Sequence, residues 1–231
     1  LPAAAQSTAN YQSTGSSSTA YDGSIAVNLI QTGQSSLASV VADASTGTTF
    51  TAAGLNDGVG LAPGRSHATY YAVTGGSPSM PNTATFQLTA GYNITNIQVI
   101  SGWTDHNLAE QTFQVLVSIG GGAFTSIGTF TNNTAFGTGA SAQGSWMTTL
   151  TGGSGAIATN VTGVKFIFLN PDTSNGTGAV GASQAGDGSR GGTALHEVQV
   201  FWTFYTNLNG ATSAVVIPVT DSNLLSGLTL N

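Results

Sequence analysis

From about residue 24 onward, the chain alternates between short apolar runs and stretches of Gly, Ser, Asn and Thr. The clearest run is Gln111–Ile119, in which Phe113, Val115 and Val117 occupy every second position. Alternation with this period places one face of a strand on a core and the other toward solvent. The glycines at 120–122 predict a tight turn, so this segment is expected to begin a β-hairpin.

Further segments show similar patterns, and none carries the sustained apolar stripe of an amphipathic helix. Short strands separated by turn residues are typical of an all-β sandwich or barrel. We therefore predict an all-β fold with few or no helices. The additional strands are predicted over Ala84–Leu88, Ile94–Ser101, Ala123–Phe130, Gly163–Leu169 and Ala194–Tyr205.

Composition divides the chain into three parts. Residues 1–23 are rich in Ser, Thr, Ala and Gln, and they predict a polar N-terminal arm. Residues 24–204 hold the predicted strands of the sandwich. Residues 205–231 predict a C-terminal arm with an apolar run over 214–219 that contains Pro218. Because proline cannot donate to a β-ladder, this run favours a sheet edge.

Charge is sparse, since 5% of the 231 residues are charged, against about a quarter in an average soluble domain. Only three residues are Lys or Arg, whereas nucleic-acid binding relies on clustered basic side chains. No apolar run is long enough to cross a membrane as a helix. The composition therefore argues against nucleic-acid partners, a membrane span and an ordinary cytosolic enzyme.

Several features favour a secreted protein, located extracellularly or at the cell surface. The chain contains no cysteine, which excludes disulfides and thiolate metal sites. Its start, Leu1-Pro-Ala-Ala-Ala-Gln6, is compatible with the remainder left after cleavage at a small-residue site.

N-glycosylation sequons begin at Asn93, Asn132, Asn160 and Asn175. Chance explains this number of sequons in a chain so rich in Asn and Thr.

Several short motifs occur in order between about residues 24 and 204. They include Leu55-Asn-Asp-Gly58, then Phe113-Gln-Val-Leu-Val-Ser118 followed by glycines, and finally Leu195-His-Glu-Val-Gln-Val-Phe201. Together these motifs resemble the discoidin, or coagulation factor C, domain, a galactose-binding-like jelly roll. The resemblance implies a jelly-roll β-sandwich, although the Trp that often follows the Asp-Gly turn is missing here. The other similar segments are Asn28-Leu29, Thr85–Leu88, Ile94–Val99 and Val164–Phe168.

The resemblance also implies a structural Ca²⁺ site. In family members that have one, backbone carbonyls, the Asp of the Asp-Gly turn and the Glu of the last strand hold the cation. The matching residues are Asp57 and Glu197. Oxygen ligands from a tight turn suit a hard cation. The alternative is an Asx turn at Asp57 and a hydrogen-bonded glutamate at the sheet edge.

One predicted loop carries a candidate carbohydrate site, because Trp103, Asp105 and His106 occur there together. Tyr70 and Tyr71 form a second aromatic candidate. An aromatic ring with nearby polar groups can stack on a sugar ring and bind its hydroxyls. The alternative is that Trp103 packs into the sandwich edge and His106 is solvated. If these residues do bind sugar, the protein is a carbohydrate-binding or adhesion module that binds cell-surface or matrix polysaccharide.

No arrangement of residues indicates an enzyme. A nucleophile needs a base within hydrogen-bond reach and a third group that orients the base. The spacing of His67, His106 and His196 relative to the acids and serines suggests no such set, and no glycine-framed serine elbow occurs. We therefore predict a protein without catalytic activity.

The arms extend beyond a discoidin-like domain, and polar termini are usually disordered unless a surface binds them. We favour the hypothesis that strand 213–219 adds to an open sheet edge of a neighbouring copy. Repetition of this contact would build a homo-oligomer or polymer, such as an extracellular filament or surface layer. The alternative is that the tail pairs with its own sandwich. The predicted apolar anchors are Val215, Val216, Ile217, Val219, Leu224, Leu225, Leu228 and Leu230.

Deletion of residues 207–231 tests the assembly hypothesis. We expect the truncated chain to be a soluble and less stable monomer, because the strand that joins neighbouring copies is gone. Size-exclusion chromatography with light scattering, beside electron microscopy of the full chain, measures the change. An identical size distribution for both chains would contradict strand exchange.

Overall fold

A computed structural model describes residues 5–13, 28–31, 36–41, 55–56, 58, 71–72, 82–103, 111–132, 144–153, 155–169 and 194–204. Every regular element in these ranges is a β-strand, so the prediction of an all-β fold is confirmed for them. The strands are β1 (Ala5–Ser13), β2 (Ser36–Val41), β3 (Tyr71–Ala72), β4 (Asn82–Trp103), β5 (Gln111–Ile119), β6 (Phe124–Asn132), β7 (Gly144–Gly152), β8 (Ala158–Phe168) and β9 (Ala194–Phe204).

Strand β4 is the longest element, with 22 residues, and it pairs along both of its edges. Its first part, 83–87, lies between β2 and β8. Its last part, 96–101, lies between β7 and β9. Between these parts, Tyr92 and Ile94 pair with β8 on one edge and with β9 on the other. One strand therefore joins two sets of neighbours.

The change of neighbours along β4 produces two layers. Register shifts near Tyr92 and Ile94 interrupt the ladders with β8 and β9 at this point. Such irregularities are how a strand turns from one sheet of a sandwich into the other. In the described residues, the nine strands form one continuous sheet. We divide it at the crossing of β4: the first layer contains β2, the start of β4, β8, β5 and β6, and the second contains β1, β7, the end of β4, β9 and β3. All of these pairings are antiparallel.

Both layers contribute to one hydrophobic cluster. In the first layer, the ring of Phe86 meets Phe166 edge-on at 6.1 Å, and Phe166 stacks on Phe168 at 6.0 Å. Complete burial of each such side chain contributes roughly 1.5–3 kcal/mol. The cluster therefore holds the layers together. The second layer supplies Ile97, Val99, Leu150, Val198 and Val200.

The β5–β6 hairpin has the tight glycine turn that the sequence predicts. Gly120 and Gly121 have φ angles of 56° and 79°, and the N–H of Gly122 donates to the carbonyl of Ile119 at 2.9 Å. Two successive positive φ angles define the type I′ turn, which matches the twist of the paired strands. The hydroxyl of Thr162 in β8 accepts a further bond from the N–H of Gly121 at 2.8 Å. The turn is thus fixed to the adjacent strand.

Strand β6 carries a bulge. The register with β5 shifts so that Val115 faces Gly128 whereas Leu116 faces Ser126, which leaves Ile127 as the extra residue. Gly128 has φ 153°, and a Cβ at this position would lie 2.7 Å from the ring of Phe130. Glycine is therefore required here. Among the described strands, β6 pairs only with β5.

Two short segments extend the edge of β9 that faces away from β4. The N–H of Leu29 donates to the carbonyl of Val200 at 2.8 Å, and the N–H of Val198 donates to the carbonyl of Leu55 at 2.7 Å. The side-chain oxygen of Asn28 also accepts from the N–H of Val200 at 3.4 Å. The motifs around residues 28 and 55 therefore act as edge partners of the last strand.

Several predicted strands are confirmed, and one prediction is wrong in detail. Strand β5 has the predicted bounds. The segments Ala84–Leu88 and Ile94–Ser101 were expected as separate strands but form the single strand β4. Gly91 lies between them, and a Cβ there would clash with the side-chain oxygen of Asn160. The close approach that glycine permits lets the chain continue extended past this point.

Strands β1 and β7 were not predicted. They pair with each other residue for residue, from Ala5 with Gly152 to Ser13 with Gly144. Part of the expected polar arm, 1–23, thus forms a strand of the second layer. Neither strand shows a clear apolar alternation, because β1 is mostly polar and a buried position of β7 is occupied by Thr148.

Substitution of Phe166 by Ala tests the hydrophobic cluster. We expect a loss of about 3–5 kcal/mol in the free energy of unfolding, because a large buried ring is replaced by a cavity. Urea denaturation measures this loss, with Ile167→Ala as the matched control on the half-buried face of the same strand. Equal losses for the two variants would contradict the assignment of the inner face.

Candidate functional site

Four strands reach the same end of the sandwich. Strand β4 ends at Trp103 and β5 begins at Gln111, whereas β6 ends at Asn132 and β7 begins at Gly144. The β4–β5 connection, 104–110, and the β6–β7 connection, 133–143, therefore leave the described strands at one end. The β5–β6 turn lies at the opposite end, because these strands are antiparallel.

A buried polar cluster lies at this end, and we call it the polar cross-link. It comprises Ser101, Gln111, Asn132 and Thr148, each no more than 3% exposed. The amide nitrogen of Gln111 donates to the hydroxyl of Ser101 at 2.7 Å and to the carbonyl of Val99 at 3.0 Å. The hydroxyl of Thr148 donates to Gln111 Oε1 at 2.6 Å, and Asn132 Nδ2 donates to Thr148 Oγ1 at 3.1 Å.

In the polar cross-link, the donors and acceptors follow one order. Asn132 donates to Thr148, Thr148 donates to Gln111, and Gln111 donates to Ser101 and Val99. A backbone carbonyl only accepts, so the carbonyl of Val99 fixes the amide nitrogen of Gln111 on its side. Gln111 Oε1 then faces Thr148, whose hydroxyl donates to it and accepts from Asn132. Asn132 Oδ1 is left as a buried acceptor with no partner among the described residues. Loss of one of these hydrogen bonds would leave further buried polar groups unsatisfied. Each such group costs about 1–3 kcal/mol of stability.

Strand register aligns three aromatic residues across the second layer beside the polar cross-link. Tyr11 pairs with Trp146, Trp146 with Ser101, Ser101 with Leu195, and Leu195 with Tyr71. These five positions form one transverse line, which we call the end row. The sequence analysis singled out Tyr71 in this row but missed Tyr11 and Trp146. The pairing of β1 with β7, which local patterns do not reveal, brings those two residues here.

Trp103 lies one step beyond the end row. It pairs with Gly144 of β7. It also follows Ser101 by two residues, so Trp103 and Ser101 belong to the same set of alternate positions in β4. The structure thus brings together the sequence-predicted residues Trp103 and Tyr71 at one end of one layer. The remaining predicted ligand residues, Tyr70, Asp105 and His106, lie outside the part of the chain that the structure describes.

The candidate cation site has one member within the described residues. Glu197 is fully buried, and its Oε1 accepts a long hydrogen bond of 3.4 Å from the N–H of Gly58. Asp57 is outside the described ranges. The amide nitrogen of Gln31 lies against the Cα of Gly58, and the buried Oε1 of Gln31 has no hydrogen-bond partner within the described part of the chain.

Neighbouring asparagines hold the backbone of this candidate cation site. Asn28 Oδ1 accepts from the N–H of Ile30 at 3.2 Å, as in an Asx turn. The side-chain nitrogen of Asn56 donates to the carbonyl of Ile30 at 2.6 Å. These bonds join two segments that are distant in sequence and support the position of Gly58. Among the described residues, no group of three His, Asp or Glu side chains gathers around a metal position.

Other predicted features fall partly outside the described structure. Asn132 is buried and donates to Thr148, so its sequon is closed to glycosylation in the folded protein. Asn93 lies within β4 and Asn160 within β8, while Asn175 is not among the described residues. Within the described ranges, no helix is long and apolar enough to cross a membrane. The predicted assembly residues, Val215, Val216, Ile217, Val219, Leu224, Leu225, Leu228 and Leu230, also lie beyond the described residues.

No protein-family model matches this sequence, and a search of curated proteins finds no match. Among solved structures, the chain is similar to the C-terminal domain of a chitobiase from Bacteroides fragilis. The identity is 18% and the TM-score 0.43, with 78% of this chain and 100% of that chain covered. It is also similar to CpGH89CBM32-6 of Clostridium perfringens, with 15% identity, a TM-score of 0.39, and 77% and 100% of the two chains covered.

A third similar structure is CpGH89CBM32-5 of Clostridium perfringens, in complex with GalNAc-β-1,3-galactose. Its identity is 17% and its TM-score 0.35, with 60% of this chain and 79% of that chain covered. These structures are discoidin-like β-sandwich domains, the kind of domain that the sequence motifs resemble. Because the identities and TM-scores are low, the all-β assignment rests on the strand pairing described above.

Calcium titration tests the cation expectation. If Asp57 and Glu197 hold Ca²⁺, a hundredfold excess over the dissociation constant stabilises the fold by about 2.7 kcal/mol. Thermal unfolding with Ca²⁺ and with EDTA measures this shift. Glu197→Gln keeps an oxygen for the N–H of Gly58 but removes the charge, so it should lose the shift. Identical unfolding midpoints of the unsubstituted chain with Ca²⁺ and with EDTA would contradict the expectation.

Proposed function

We propose that this protein is a non-enzymatic carbohydrate-binding module whose ligand surface lies at the end of the second layer where β4 ends at Trp103 and β7 begins just before Trp146. The observation that carries the proposal is the strand register. It aligns Tyr11, Trp146 and Tyr71 across one layer and places Trp103 one step beyond them. These aromatic residues belong to four strands, β1, β3, β4 and β7, and occupy register positions at the end from which two connections leave.

The chemistry of this end suits a neutral sugar. The apolar face of a sugar ring stacks on aromatic rings, while neutral hydrogen-bonding groups bind its hydroxyls. Only 5% of the residues are charged, so the surface offers mainly hydroxyl, amide and backbone groups. Asp105 and His106, in the connection directly after Trp103, would add two further hydrogen-bonding groups.

The module would act outside the cell or at its surface, with a polysaccharide as its partner. We expect no catalytic turnover, in agreement with the sequence analysis. Assembly through residues 213–230 stays a separate prediction, because it depends on residues beyond the described ranges. It does not compete with sugar binding, since a binding module can also be part of a larger assembly.

Substitution of Trp103 or Trp146 by Ala tests the ligand surface. Loss of a central aromatic contact costs on the order of 1.4 kcal/mol or more, so we expect affinity to fall about tenfold or more. A glycan array that includes GalNAc-β-1,3-galactose identifies the ligand, and calorimetry then measures the dissociation constants. The oligomeric state should stay unchanged in both variants.

Phe124→Ala provides the matched control for this test. Phe124 is half-buried, lies at the start of β6 at the opposite end of the sandwich, and packs under the ammonium group of Lys165 at 4.5 Å. Its loss should leave affinity unchanged. The proposal is wrong if the unsubstituted protein binds no glycan, or if both tryptophan variants bind as tightly as the control.

A further inference from the structure

The polar cross-link connects the two layers beneath the end row. Gln111 belongs to β5 of the first layer, whereas Val99 and Ser101 belong to the end of β4 in the second. Asn132 and Thr148 form a second contact between the layers, from β6 to β7. The hydrophobic cluster resists separation of the layers but is non-directional. Hydrogen bonds of 2.6–3.1 Å fix their spacing and lateral position at this end.

Gln111 is the central member of the polar cross-link. Its side chain makes hydrogen bonds with Val99, Ser101 and Thr148. Ser101 is also the middle position of the end row, and Thr148 follows Trp146 by two residues in β7. Gln111 itself is the first strand residue after the 104–110 connection. One amide therefore links the base of the connection to the two strands that carry Trp103 and Trp146.

We propose that Gln111 is a positioning residue for carbohydrate binding. Its amide holds the ends of β4 and β7 at a fixed distance from β5, and this sets the relative positions of the strand ends that carry Trp103 and Trp146. Gln111 does not contact the ligand, because it is 1% exposed. This inference rests on the proposed function for its effect on affinity. Its effect on the two connections can be measured without a ligand.

Gln111→Leu tests the proposal, because leucine fills a similar volume but makes no hydrogen bonds. We expect affinity for the glycan to fall about tenfold, by analogy with metal sites, where loss of the hydrogen bonds that orient the ligands has an effect of at least this size. Amide hydrogen exchange should become faster in residues 104–110 and 133–143. If Gln111→Leu fails to fold, Thr148→Val takes its place. This variant removes a single hydroxyl and should cause the same changes at smaller magnitude.

Ser118→Ala is the matched control, since it removes a buried hydrogen bond at the other end of the same strand. The hydroxyl of Ser118 donates to the carbonyl of Gly122 at 2.7 Å. This variant should lose stability while affinity and exchange in the two connections stay unchanged. Equal effects in Ser118→Ala and Gln111→Leu would reduce Gln111 to a general stabilising residue and overturn the proposal.

The two proposals fail in different ways. If the unsubstituted protein binds glycan and Gln111→Leu binds equally well, the positioning role is wrong and the carbohydrate function stands. If no glycan binds, the function is wrong, and exchange rates alone decide the positioning role. Unchanged exchange in 104–110 and 133–143 overturns that role in either case.

Discussion

The continuous pairing of β4 along both edges is the constraint on which the structure depends. The strand is a member of both layers, so the path by which it crosses between them fixes how they face each other. At the crossing, the ring of Tyr92 meets Trp202 edge-on at 6.4 Å, which joins β4 to the last strand. The hydrophobic cluster and the polar cross-link both follow from this arrangement, because they fill the space that the two parts of β4 enclose.

Two kinds of interaction share the interior. Phe86, Phe166 and Phe168 supply most of the aromatic volume in the first layer. The end beside Trp103 is instead filled by neutral polar side chains whose hydrogen bonds are directional. A polar interior adds little net stability but strongly disfavours alternative arrangements, because each unsatisfied group is costly.

Local patterns predicted much of the fold and less of the site. The alternation of Phe113, Val115 and Val117 fixed β5, and the glycines at 120 and 121 fixed its turn. Trp103 and Tyr71 were proposed as ligand residues from residue type alone. The end row was not, because Tyr11 meets Trp146 only through pairing of strands more than a hundred residues apart. Gln111 was taken as an ordinary strand residue, since its bonds to Ser101 and Thr148 depend on the packing of the two layers.

The bulge in β6 has a consequence for how copies of this chain can meet. A regular edge strand presents a row of backbone groups that another chain can extend, whereas a bulge bends the strand and breaks that row. With Gly128 and Ile127 out of register, β6 is a poor template for an added strand. Another chain would therefore add to β6 less readily than to a regular edge strand.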